Sequence, residues 1–210
     1  KLHSIQGEVV AAVCHKHGQV TTCLRADVEI ALGQDISPAA KRLSDIYIRD
    51  GSFQHFIQAM KWSRSLYENV QRFIVFQLTM NLTACAIMLL GPFLGVTLPL
   101  TVVQLLWVNL IMDTFGALAL ATEIPHRAVL DRPPRGLKEH VLSEGMLQQI
   151  VAIGLGFVVV LAGLLIYLQR DGQVSVYELS VFFSVFVLLH FWNLFNARCL
   201  GHTYSAFYRL

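Results

Sequence analysis

Beyond residue 72 the chain alternates long apolar runs with short polar loops. Four runs, at about 73–90, 102–122, 147–168 and 178–197, approach or exceed the roughly 20 residues a helix needs to cross a hydrocarbon core. The first is followed by GPFLGVTLPL (91–100), an uncharged stretch whose glycines and prolines end a helix and favour a turn. Upstream the pattern changes. The short apolar runs VVAAVC (9–14), VEIAL (28–32) and DIYI (45–48) are separated by polar segments. One of these, SPAAKRLS (37–44), has Ser37 as N-cap and Pro38 at the first helical position. Such alternation predicts the edge of a parallel α/β sheet with too few strands to fold alone. FQHFIQAMKWSRSLYENVQR (53–72) has helical spacing and no breaker before the first span, so it predicts a stalk helix. The fold class expected is an α-helical membrane protein, four transmembrane helices in two hairpins, with a partial N-terminal α/β segment. Its expected parts are a sheet remnant at 1–52, a stalk at 53–72 and a membrane region at 73–210.

Composition agrees with this pattern. Of 210 residues 55% are hydrophobic and 14% charged, with a mean hydropathy of +0.55, against about 25% charged in soluble domains. A net charge of +2 from scattered basic residues excludes a nucleic-acid partner. Cys14, Cys23, Cys85 and Cys199 contain no CxxC pair and imply no disulfide framework. Where the charges fall also sets an orientation. Lys61, Arg64 and Arg72 precede the first span, Arg127, Arg132, Arg135 and Lys138 fill the 123–146 loop, and Arg198 and Arg209 follow the last span, whereas 169–177 holds only Arg170. By the positive-inside rule residues 1–72, the 123–146 loop and the tail are cytoplasmic, giving a multi-pass protein in membrane lipid with both termini inside. The chain starts at Lys1 without an initiator Met or a signal-peptide pattern, and is expected to be a piece of something longer.

The second run carries polar residues at its centre. Asn109 and Asp113 lie four apart in LWVNLIMDTFGALALATE (106–123), so on a helix they project from one face. A carboxylate at mid-membrane costs about 2.5–3.5 kcal/mol on insertion scales and usually faces a bundle interior, a partner charge or an ion.

LWVNLIMDTFGALALATE resembles the sixth transmembrane helix of P-type calcium-transporting ATPases, most closely the plasma-membrane type. MKWSRSLYENVQRFIVFQLTMN (60–81) is similar to their fifth helix and FWNLFNAR (191–198) to the end of their eighth. The resemblance implies the C-terminal part of such a pump, from the last strands of its phosphorylation domain through helices five to eight. The DKTGT motif, the nucleotide-binding and actuator domains and helices one to four would lie upstream, and helices nine and ten downstream. It further implies calcium as the transported ion, held in part by Asn81, Asn109 and Asp113, with magnesium and ATP used by intact members. Ala84 stands where two-site pumps have a glutamate, the pattern associated with one calcium per cycle, and Met112 supplies no hard oxygen. His190 aligns with a glutamate or glutamine of the eighth helix, but imidazole is a poor calcium ligand, and a histidine hydrogen-bonded within the bundle is the expectation there. Helix-to-helix hydrogen bonding is the competing role for Asn81, Asn109 and Asp113.

One segment departs from the family. After GEVVA the family reads VTGDGTNDAPAL, whose acidic residues organise magnesium; this chain reads AVCHKHGQVTTC. In that register the threonine falls on Val13, the glycines on Cys14 and Lys16, the two aspartates on His15 and Gln19, and the asparagine on Gly18. Magnesium wants hard oxygen ligands, and phosphoryl transfer relies on it to neutralise charge. No catalytic or nucleotide-binding residue is therefore expected here, and no phosphorylation cycle from this chain alone. Cys14, His15, His17 and Cys23 invite a zinc reading, against which the adjacency of Cys14 and His15 argues. The alternative function is a non-hydrolysing, pump-derived membrane protein that binds a partner through its helices; otherwise the partners expected are lipid, calcium and the missing remainder of the pump.

Overall fold

A computed structural model describes residues 9–14, 26–123, 129–131, 133, 136, 140–172 and 174–199, the side chains of Cys14 and Asp171 excepted. The chain divides into two compact units, residues 1–66 with 125–140, and residues 67–124 with 141–210.

In the first unit β1 (Ala11–Cys14), β2 (Val28–Leu32) and β3 (Ile46–Ile48) pair in parallel in that order. Val13 lies opposite Ile30, and Ile30 opposite Ile46. The middle strand is the buried one: Ile30, Ala31 and Leu32 form the core, while Val13 and Ile46 on the flanking strands stay exposed. Two aspartates start the pairing by one device. The Asp27 carboxylate accepts from Val10 N at 2.8 Å while its own N–H donates to Val10 O at 2.9 Å. Asp45 repeats this with Glu29, both bonds being 2.9 Å. Each carboxylate thereby satisfies a backbone donor that the short ladder does not reach. Between β2 and β3, α1 (Pro38–Leu43) is capped by Ser37, whose Oγ accepts from Ala40 N at 3.2 Å, with Pro38 at the first turn.

Next comes α2 (Phe53–Leu90), a 38-residue helix about 57 Å long at 1.5 Å per residue. It has neither glycine nor proline within it, and Gly91 and Pro92 end it. Its first turns belong to the first unit and the rest to the second. In the first unit, Arg64 Nη1 donates to Val129 O at 3.2 Å.

The second unit is helical. A tight turn follows α2, in which Gly95 takes φ +85°, a conformation that side-chain-bearing residues rarely adopt. Then α3 (Val102–Ala121) opens with a capping box: Thr101 Oγ1 accepts from Gln104 N at 3.3 Å and Gln104 Oε1 accepts from Thr101 N at 2.9 Å. Ser143 caps α4 (Glu144–Leu168), and Ser175 with Glu178 forms a second capping box on α5 (Val176–Arg198). The third apolar run starts a few residues inside its helix because Glu144 and Gly145 open α4. Including α2, four helices among the described residues are long and apolar enough to cross a membrane.

Phe76, Met80 and Ile87 of α2, Val108 of α3, Leu161 and Leu165 of α4, and Phe182 and Phe186 of α5 make the core of this unit. Small residues bring the helices together: a Cβ on Gly116 of α3 would lie 3.0 Å from the Phe76 ring. Two buried threonines are satisfied locally, Thr79 and Thr83 donating to the carbonyls of Val75 and Thr79 at 2.8 Å. A polar cluster closes one end. Arg198 makes a forked ion pair with Glu123, Nε to Oε2 at 2.9 Å and Nη2 to Oε1 at 3.0 Å. The Glu123 carbonyl also accepts from Asn69 Nδ2 at 3.5 Å, and Arg72 Nη1 donates to Asn69 Oδ1 at 3.1 Å.

A candidate cation site between two membrane helices

The register of α2 against α3 fixes where their polar residues meet. Asn69 bonds Glu123 and Phe76 packs on Gly116, which sets Gln77 and Asp113 at about the same height. Each step forward on α2 is matched by a step back on α3, so the helices run antiparallel. Four residues on from Gln77 is Asn81, and four back from Asp113 is Asn109. The four side chains therefore occupy one level, two on each helix, within about 6 Å of helix rise.

Within that level the contacts are uneven. Asp113 and Asn109 are half-buried on α3, whereas Asn81 is exposed on α2. No hydrogen bond joins Asn81 to Asn109 or Asp113 among the described residues. The spacing argument passes over a further polar residue at this level, Gln77. Asp113 Oδ1 and Gln77 Oε1 are both buried without a hydrogen-bond partner. The signal available in the sequence was an amide one turn before Asn81 in FQLTMN, which nothing in the sequence ties to α3.

His190 lies in a different setting. It is fully buried, its Nδ1 lies 2.6 Å from Phe186 O, and its ring packs on Phe186 and Phe157 with centroids 4.1 and 6.0 Å away. A carbonyl only accepts, so Nδ1 is the donor, as a histidine hydrogen-bonded within the bundle requires. Ala84 and Met112 are half-buried and pack against the apolar core.

Residues 97–208 match the family model described as "Cation transporting ATPase, C-terminus". The chain belongs to that family. Over 201 residues it is 38% identical to calcium-transporting ATPase 5, plasma membrane-type, of Oryza sativa subsp. japonica, covering 92% of this chain and 18% of the relative. It is 39% identical over 202 residues to calcium-transporting ATPase 1, plasma membrane-type, of the same organism, covering 94% and 19%. Calcium-transporting ATPase 10, plasma membrane-type, of Arabidopsis thaliana is 38% identical over 199 residues, covering 92% and 19%. The chain thus spans about a fifth of the length of these relatives. In this member of the cation-transporting ATPase family, the matched segment contains α3, with Asn109 and Asp113, and begins after α2, which carries Gln77 and Asn81. Cys14 by its side chain, and His15, Lys16, His17, Gly18, Gln19 and Cys23 altogether, lie outside the described residues, as do Arg127, Arg132, Arg135, Lys138 and Arg209.

Proposed function

We propose that this chain is the C-terminal transmembrane part of a P-type ATPase that exports calcium, and that Asn81, Asn109 and Asp113 contribute to the site through which the ion passes. The observation that carries this reading is Asp113: a carboxylate in a membrane-length helix, level with three amides, with Oδ1 buried and unpartnered. A buried acceptor left without a donor costs about 1–3 kcal/mol, more when charged. A cation would offset that cost, and amide and carboxylate oxygens are the ligands calcium takes. Relatives named as calcium-transporting ATPases support calcium as that cation.

Calcium is here the transported substrate. ATP and magnesium would act in the remainder of such a pump, because this chain reads AVCHKHGQVTTC where the family has its magnesium loop, and it holds no DKTGT motif. One carboxylate and two amides fall short of the 6–8 oxygens calcium prefers, and affinity follows ligand charge, so the chain alone binds calcium at about millimolar strength. The test is calcium titration of the 210-residue chain in nanodiscs, with Asp113→Asn beside it and a magnesium-ATP hydrolysis assay. Weak saturable binding that the substitution removes, with no hydrolysis, is expected. Binding indifferent to Asp113→Asn would return the carboxylate to a helix-packing role, and ATP turnover above background would refute the reading of the loop.

A further inference from the structure

We infer that Gln77 is a direct oxygen ligand of the transported cation, paired with Asp113; this rests on the calcium-site reading above. Each group keeps a buried oxygen without a hydrogen-bond partner, Gln77 Oε1 and Asp113 Oδ1. Both are acceptors. Two acceptors cannot satisfy one another, so what completes them must bring positive charge or a donor hydrogen.

The arrangement favours a hard cation. Gln77 and Asn81 on α2, and Asn109 and Asp113 on α3, are two four-residue spacings set level by the antiparallel register, so all four oxygen-bearing side chains fall within about 6 Å of rise. That is the scale of one calcium shell, whose opposite oxygens lie about 5 Å apart at 2.3–2.6 Å from the ion. Of the two amides on α2, Gln77 is half-buried with an unpartnered oxygen, whereas Asn81 is exposed. Gln77 therefore supplies a neutral ligand oxygen, and Asp113 the single negative charge, at one level.

Terbium, a trivalent stand-in for calcium whose emission lifetime in H2O and D2O counts bound waters, separates these roles. The full 210-residue chain in nanodiscs is titrated with terbium and with calcium as competitor. Gln77→Met keeps the side chain's length without its oxygen; Gln77→Glu keeps the oxygen and adds charge. Expected results are binding abolished by Asp113→Asn, weakened about tenfold or more by Gln77→Met, and not weakened by Gln77→Glu, with one additional water on terbium in the methionine variant only. Loss with Asp113→Asn but an unchanged affinity or water count with Gln77→Met overturns Gln77 as a ligand and leaves the calcium site standing. Terbium binding that survives Asp113→Asn, or no binding by the parent chain, overturns both. Circular dichroism of each variant separates failure to fold from failure to bind.

Discussion

Gly116 and Gly154 look alike in sequence, small residues in apolar helices, and differ in what surrounds them. A Cβ on Gly154 would come within 2.9 Å of Leu82 Cδ2, the far end of a flexible and exposed side chain. At Gly116 the neighbour is the ring of Phe76, which has no exposed surface and is held in the core. Leu82 has outward-facing space to move into; Phe76 is enclosed in the core and has none. Gly154→Ala should therefore change stability by less than about 1 kcal/mol, and Gly116→Val should cost about 1–3 kcal/mol as overpacking. Thermal unfolding in one detergent measures the contrast, and equal losses would show that the α2–α3 approach is not set by Gly116. This scale was only partly legible beforehand. Ser37 and Pro38 announce their cap because both partners are local. Gln77 does not, since the role proposed for it depends on Asp113, more than thirty residues later.

Between elements, the link of most consequence joins α3 to α5 across 75 positions. Glu123 sits just past the last turn of α3 and Arg198 is the last residue of α5, where a cation also complements the helix dipole. Their side chains keep only 26% and 22% of their exposure, and the fork is bidentate, so this pair exceeds the 0.2–1 kcal/mol of exposed ion pairs. The Glu123 carbonyl adds Asn69 of α2 to the same cluster. A double-mutant cycle with Glu123→Gln and Arg198→Met should yield a coupling energy of about 1–3 kcal/mol at low ionic strength. Coupling near zero would make the fork decorative. Helix existence, by contrast, was readable from apolar length alone, because backbone groups in lipid have few alternatives to helical bonding. Which polar ends would meet was not, for residues as distant in sequence as Glu123 and Arg198 leave no periodic trace.

For the whole molecule, the four helices follow from the hydrophobic pattern, and the parallel pairing of β1, β2 and β3 follows from the alternation upstream. The side of the membrane each loop occupies rests instead on charge. Between residue 72 and the 123–146 loop the chain makes two crossings, α2 and α3, and between that loop and the tail two more, α4 and α5. Parity alone then puts residues 1–72, the loop and the tail on a common side, and the turn at 91–101 on the other. Parity does not say which side is cytoplasmic. The positive-inside rule predicts that it is the side of Arg127, Arg132, Arg135 and Lys138, against an opposite side on which 91–101 has no charge and 169–177 has Arg170 as its one basic residue. In a background with Cys14, Cys23, Cys85 and Cys199 replaced, single cysteines at Lys16, Thr97 and Arg135 read the arrangement directly. Membrane-impermeant maleimide applied to inside-out vesicles should label positions 16 and 135 and leave position 97 untouched; right-side-out vesicles should reverse this. Labelling of 16 and 135 from opposite sides would mean that one of α2 and α3 does not cross. The antiparallel register that sets Gln77 level with Asp113 would then be lost, and the proposed cation site with it.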